Sequence, residues 1–242
     1  MKRTLVIGDI HGNAKGLRQC IDLARVTPND KIIQLGDVAD GWSETSECVD
    51  ILLELNKSNE CVFIRGNHDV WVYDWMMYGR APMLWTEQGG RATMESYVRT
   101  GKLVDIYHKN FWFNQKDWYI DDLNRIFIHA GWDYRSDPFP RSASYPVNAG
   151  SIAKECHWDR SLLQGAKSSV KSQSPFNATK EFEEVYIGHT ATRLHEVENY
   201  GNLWNMDSGS GWHGRLSIMD VDTKEVWYAD SSKELYPDEK GR

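Results

Sequence analysis

The stretch Thr4-Leu5-Val6-Ile7-Gly8-Asp9-Ile10-His11-Gly12 decides the fold: a short apolar run stops at a small residue, and two groups able to hold a metal follow at once. The same grammar returns in Lys31-Ile-Ile-Gln-Leu-Gly36-Asp37, Cys61-Val-Phe-Ile-Arg65-Gly66-Asn67, Arg125-Ile-Phe-Ile-His129 and Glu184-Val-Tyr-Ile-Gly188-His189. Runs this short and this continuously apolar read as strands covered on both faces, not as helices. After the first run, Asn13 is placed to cap a helix in which Leu17, Cys20, Ile21 and Ala24 share a face. After the second, Ser43 is placed to cap a helix carrying Val49, Leu52, Leu53 and Leu55. The opening therefore reads βαβαβ, an α/β pattern with a largely parallel sheet.

Working outward, residues 70–124 are rich in aromatics and read as a helical excursion, with a Gly89-Gly90 turn and a helix over Ala92–Thr100. The stretches around Asp137–Pro140 and from Gly165 to Thr179 read as surface loops. Arg215–Val221 and Glu225–Tyr228 read as a hairpin turning at Asp222-Thr223-Lys224, and the chain past Asp230 reads as a polar, frayed tail. With no linker clean enough to divide it, the chain reads as one domain over 1–242, its tail starting near 231.

The 242 residues carry 28 Lys+Arg and 35 Asp+Glu, a formal net charge of −7. That balance argues against a nucleic-acid or anionic-membrane surface, so neither is expected as a partner. Four scattered cysteines form no CxxC pair, which points to free thiols in a reducing compartment. The apolar run behind Met1-Lys2-Arg3 is too short for a secretory or spanning segment, and the expected location is cytoplasmic.

In a parallel α/β sheet, ligands bind where the loops at the carboxyl ends of the strands converge. Here those ends deliver Asp9, His11, Asp37, Asn67, His68, His129 and His189 to one edge. Oxygen and imidazole donors without thiolate suit manganese, iron or zinc. They are also too many for one ion. A shared carboxylate would let them hold two ions about 3.5–4 Å apart, the arrangement used on phosphate esters.

Gly8-Asp9-Ile10-His11-Gly12, Gly36-Asp37-Val38-Ala39-Asp40, Arg65-Gly66-Asn67-His68-Asp69, His129-Ala130-Gly131 and Gly188-His189-Thr190 resemble, in order, the motifs of the calcineurin-like metallophosphoesterases. Trp85–Tyr97, His157-Trp158-Asp159-Arg160 and Asn205–Gly214 are similar to segments of the phosphoprotein phosphatase branch, especially its small bacterial and phage members. The resemblance implies an αββα sandwich with central mixed sheets and a centre of two divalent ions, manganese first among them. It implies that Asp9 and His11 hold the first ion, that Asn67, His129 and His189 hold the second, and that Asp37 bridges them. A water between the cations would lose its proton and attack phosphorus in line with the leaving oxygen. His68 would then protonate the leaving alkoxide, with Asp40 orienting its ring, and Arg65 and Arg160 would grip phosphate oxygens.

The implied activity is a phosphomonoesterase acting on phosphoserine or phosphothreonine in proteins, or on small phosphoesters. Two alternatives remain: a dinucleoside polyphosphate hydrolase or nucleotide phosphodiesterase on the same site, and a phosphate-binding module without turnover. The second draws on one departure: where the family continues Asp-Arg-Gly, this chain has Asp40-Gly41-Trp42, and a phosphate-binding arginine is missing. Eleven tryptophans, four of them (Trp42, Trp132, Trp158 and Trp212) flanking motifs, read either as packing or as an aromatic rim to the cleft. His108, His157, His195 and His213 lack the strand-end setting and read as structural or exposed.

Overall fold

A computed structural model describes residues 2–135, 139, 155–174, 176 and 181–242. The strands are β1 (Thr4–Ile7), β2 (Lys31–Gln34), β3 (Glu60–Phe63), β4 (Trp118–Ile120), β5 (Arg125–Ile128), β6 (Glu184–Ile187), β7 (Glu198–Tyr200), β8 (Leu203–Asn205), β9 (Ser217–Asp220) and β10 (Val226–Tyr228). They form two mixed five-stranded sheets, in the orders β10-β9-β1-β2-β3 and β4-β5-β6-β8-β7. β1, β2 and β3 run parallel, with β9 and β10 added antiparallel. In the second sheet β5, β6 and β8 run parallel, flanked by antiparallel β4 and β7.

Side-chain alternation explains why these strands look continuously apolar. Val6, Ile33, Phe127 and Tyr186 pack together between the sheets. Their neighbours Leu5, Ile7 and Ile32 face helices α1 (Ala14–Leu23) and α2 (Thr45–Ser58), while Ile126, Ile128 and Val185 face α7 (Ser161–Lys171). Each strand thus has a helix on one face and a sheet on the other, the four-layer αββα arrangement. Fully burying each such aliphatic side chain contributes about 1.5–3 kcal/mol, so polar residues are driven to the strand ends. Among the described residues, no helix is long and apolar enough to cross a membrane. The four cysteines are free thiols, three of them buried.

Asn13 caps α1 as expected, its Oδ1 accepting the Gly16 N–H at 2.7 Å. Ser43 does not cap α2. That helix starts at Thr45, and Ser43 instead gives its N–H and hydroxyl to the Glu239 carboxylate at 3.0 and 2.7 Å. The helical excursion comprises α3 (Asn67–Tyr78), the single turn α4 (Met83–Trp85), α5 (Arg91–Thr100) and α6 (Ile106–Asn114). It ends earlier than the sequence suggests, because Trp118–Ile120 already pairs with β5. Between α4 and α5 the chain forms a wide π-turn over Thr86–Gly90, in which Gly89 has φ +104°. A Cβ there would stand 2.7 Å from the Gly41 backbone nitrogen, so this turn and the Asp40-Gly41 loop can touch only through glycine.

Two expectations are corrected. The segment from Gly165 is not a loop as far as Lys171, because α7 runs through it and buries Leu162, Leu163 and Ala166 against the second sheet. Past Asp230 the chain is not frayed: Ser231 caps α8 (Ser232–Leu235), and Tyr236 is buried against Trp42 with ring centroids 5.0 Å apart. The expected loop at Asp137–Pro140 lies, except for Phe139, outside the described residues.

Candidate dinuclear metal centre

The loops after β1, β2, β5 and β6, together with the start of α3, bring the strand-end residues to one edge of the sandwich. His11, Asp37, Asp40 and His189 all have positive φ, between +52° and +72°. Left-handed backbone costs a non-glycine residue about 1–2 kcal/mol, so surrounding bonds must hold it. At Asp37 they are visible: its carbonyl accepts the N–H groups of Ile10 and His11 at 3.0 and 2.9 Å. Asp69, to which the sequence reading gave no role, braces the same loops. One carboxylate oxygen accepts Val38 N–H at 2.9 Å and the other accepts Gly66 N–H at 3.0 Å. Gly188 is needed for close approach, since a Cβ there would lie 2.0 Å from Asp9 Oδ1.

Two groups of ligand-capable side chains result, Asp9 with His11 and Asp37, and Asp37 with His129 and His189; within each group the donor atoms lie within 4.8 Å of one another. All are buried, and Asp37 belongs to both. Its Oδ2 lies 3.7 Å from His11 Nε2 and 3.4 Å from His129 Nε2, between the groups, while Oδ1 accepts the His68 backbone N–H at 2.9 Å. The histidines are oriented by backbone carbonyls. His11 Nδ1 donates to Ala39 O at 3.0 Å and His129 Nδ1 to Leu35 O at 2.8 Å, which turns both Nε2 atoms inward. Asn67 Oδ1 joins His129 Nε2 at 3.1 Å and His189 Nδ1 at 2.8 Å.

The electrostatics call for positive charge. Burial, then the neighbouring Asp207, pushes the Asp9 carboxyl well above the usual range. Burial opposes ionisation of Asp37 too, but His129, His68 and His11 around it hold its carboxyl well below that range. Burial would lower His129, yet the Asp37 charge raises it to about 10. His189 is pushed down to about 2 by burial and by His129, and His11 well below its usual value by burial and then by the charge of Arg242. Asp9 Oδ1 and His189 Nε2 are buried with no hydrogen-bond partner. Leaving such an atom unsatisfied costs about 1–3 kcal/mol, and a divalent ion would satisfy Asp9 Oδ1 and keep the carboxylates ionised. The donor set fits two such ions.

Beside this cluster, His68 Nδ1 donates to Asp40 Oδ2 at 2.6 Å, and its buried Nε2 has no partner. The Asp40 carboxylate also accepts from Trp85 Nε1 and from Thr93 Oγ1, both at 2.7 Å. The Trp85 and Thr93 contacts span 45 and 53 residues, and no local pattern announces them. Trp85→Phe keeps most of the packing and deletes one bond to Asp40. It is expected to lower turnover of alkyl phosphates about 10-fold, with a smaller loss on para-nitrophenyl phosphate and unchanged bound metal, read by steady-state kinetics and metal analysis. Equal loss on both substrates would show that Trp85 supports only the fold.

The arginines divide. Arg160 is exposed at the rim, its Nε donating to Thr190 Oγ1 at 3.3 Å next to His189. Arg65 is not turned to the cluster by its contacts: its Nη2 donates to the Trp112 and Phe113 carbonyls, both at 3.0 Å, and the guanidinium lies over Tyr73. Nor do Trp42 and Trp132 form a rim, since both are buried, whereas Trp158 and Trp212 are 42% and 48% exposed. Trp158 meets the His189 ring edge-on, with centroids 6.2 Å apart. His108 and His157 are buried beside Asp50 and Asp117, as structural histidines.

The model of the calcineurin-like phosphoesterases matches residues 2–160. A symmetrical bis(5'-nucleosyl)-tetraphosphatase of Actinobacillus succinogenes is 22% identical, over 93% of this chain and 95% of its own length. Among solved structures, a putative diadenosine tetraphosphatase superposes with TM-score 0.63 at 16% identity, covering 94% of this chain and 93% of that one. A protein serine/threonine phosphatase of Saccharomyces cerevisiae gives 0.60 at 14% identity, covering 95% and 80%. At such identities these two structures speak to the fold alone.

Proposed function

The chain belongs to the calcineurin-like phosphoesterase family and is a metal-dependent phosphoric ester hydrolase; within that class we propose that it is a phosphomonoesterase acting on phosphoserine and phosphothreonine in proteins. The observation that carries this reading is the pairing of a carboxylate shared by two ligand groups, Asp37, with a buried His68–Asp40 couple whose Nε2 is free. When bound, two divalent ions, manganese first among the candidates, would supply a water of lowered pKa and neutralise charge on the phosphoryl oxygens. Asp9 and His11 would hold one ion, Asn67, His129 and His189 the other, and Asp37 both.

His68 is placed to give a proton from Nε2 to the departing oxygen, and Asp40, fixed by Trp85 and Thr93, keeps its ring aimed. Arg160 stands at the rim to take a phosphate oxygen. An acid so carefully supported suits a serine or threonine alkoxide, which leaves poorly without a proton. A nucleotide phosphate leaves as a stable anion and needs none.

A second reading, hydrolysis of dinucleoside tetraphosphates, is favoured by the likeness to the Actinobacillus succinogenes enzyme along nearly both whole chains, and the exposed Trp158 and Trp212 could stack on bases. Purified protein given manganese should hydrolyse phosphoserine and phosphothreonine peptides with at least about 10-fold higher kcat/KM than diadenosine tetraphosphate, a difference of about 1.4 kcal/mol in transition-state binding. The reverse preference would establish the second reading. Two bound ions with no hydrolysis of either would leave a phosphate-binding module.

A further inference from the structure

Gly41 stands where the family pattern places an arginine, and the space beside it is filled from the other end of the chain. A Cβ on Gly41 would lie 3.2 Å from Arg242 Cγ. Residues 231–242 are fastened over the Asp40–Ser43 loop by contacts of long sequence separation. Asn13 Nδ2 donates to Ser232 Oγ at 2.9 Å, Tyr236 stacks on Trp42, Glu239 accepts both Ser43 donors, and Arg242 N–H donates to Gly211 O at 2.9 Å. Gly241, at φ +71°, makes the final turn, where a Cβ would come within 2.9 Å of both Gly211 O and the Trp42 ring.

That anchoring delivers a guanidinium to the ligand cluster. Arg242 Nη1 lies 3.3 Å from His11 Nε2, and its plane sits 5.4 Å from the centre of the exposed Trp212 ring. Its Nε is buried and has no acceptor. The His11 Nε2 lone pair is the one a metal ion would take, because Nδ1 is committed to Ala39 O. With that lone pair taken, the guanidinium is a paired donor at the edge of the centre that hydrogen-bonds no carboxylate among the described residues, Asp207 acting on it through charge alone, and a phosphoryl group is the complementary partner.

We propose that Arg242 is a substrate-phosphate-binding residue, its side chain supplying from the carboxyl-terminal segment the guanidinium that Gly41 lacks. The assignment rests on the proposed function only in requiring a phosphoryl ligand at this site.

Its test is calorimetric titration of inorganic phosphate into manganese-loaded wild type, Arg242→Ala and Arg242→Lys, with bound metal counted by mass spectrometry and kcat and KM measured in parallel. Loss of the guanidinium is expected to weaken phosphate about 10- to 100-fold, the worth of a hydrogen bond to a charged group, and to raise KM more than it lowers kcat. Lysine should recover part of the loss, and the metal count should not change. Phosphate affinity within about twofold of wild type in Arg242→Ala overturns the assignment, as does a wild type that binds no phosphate or a metal count that falls in step with affinity. A wild type that binds phosphate through Arg242 yet hydrolyses no ester would overturn the proposed activity and keep this residue's role. Hydrolysis by wild type with undiminished affinity in the alanine variant would do the reverse.

Discussion

Asp37→Asn is expected to cost the protein most of its bound metal and about 10³-fold or more of its phosphoester-hydrolysing activity, because one substitution touches both ligand groups. Its Oδ2 is the atom between His11 and His129, and no other carboxylate belongs to both ligand groups among the described residues. Asparagine isolates that effect well. It keeps an oxygen to accept the His68 backbone N–H, as Asp37 Oδ1 does at 2.9 Å, and it tolerates the φ of +52° at this position. The charge is what disappears. Without it nothing of comparable strength holds a proton on His129, whose rise to about 10 is driven chiefly by Asp37, and the site loses its pull on any cation. Metal per chain by mass spectrometry, with a circular dichroism melt to confirm folding, checks this. A folded variant that still carries two ions would remove Asp37 from the bridge.

The features legible in the sequence were those whose cause is local. Val6, Ile33, Phe127 and Tyr186 are hidden between sheets while their neighbours face helices, so the runs had to be apolar at every position, and the first polar residues after them fall at the strand ends. Asn13 caps its own helix three residues on, a relation any reader of the chain can see. Ser43 shows the limit of that reading. As a cap candidate it is equally good, but a carboxylate 196 residues away, Glu239, takes both its donors. Helix α7 was hidden for another reason: serine and lysine dominate its exposed side, and only Leu162, Leu163 and Ala166 reveal the packing that stabilises it.

Composition alone misleads about the tail. A polar segment reads as frayed when its partners are unknown, and here the partners are a buried indole, a loop serine and a ligand-capable histidine from the first 43 residues. The same blindness hid Trp85 and Thr93. Their hydrogen bonds to Asp40 decide how firmly His68 is aimed, yet each spans more than forty residues of sequence.

That aim governs the second large effect. His68→Asn is expected to leave bound metal intact while lowering turnover of phosphoserine peptides by about 10²–10⁴-fold, the usual worth of a positioned general acid. On para-nitrophenyl phosphate the loss should be only a few-fold, since para-nitrophenolate leaves readily without a proton. The substitution suits the test because the backbone bond to Asp37 Oδ1 does not depend on the side chain, and an asparagine amide can still donate to Asp40. What it removes is the imidazole Nε2, the one buried nitrogen of the couple left without a partner. Rate against leaving group separates the two readings of this histidine. A uniform loss across substrates would make His68 a packing or phosphate-contact residue, because only proton donation to the leaving oxygen makes the penalty grow with the basicity of that oxygen.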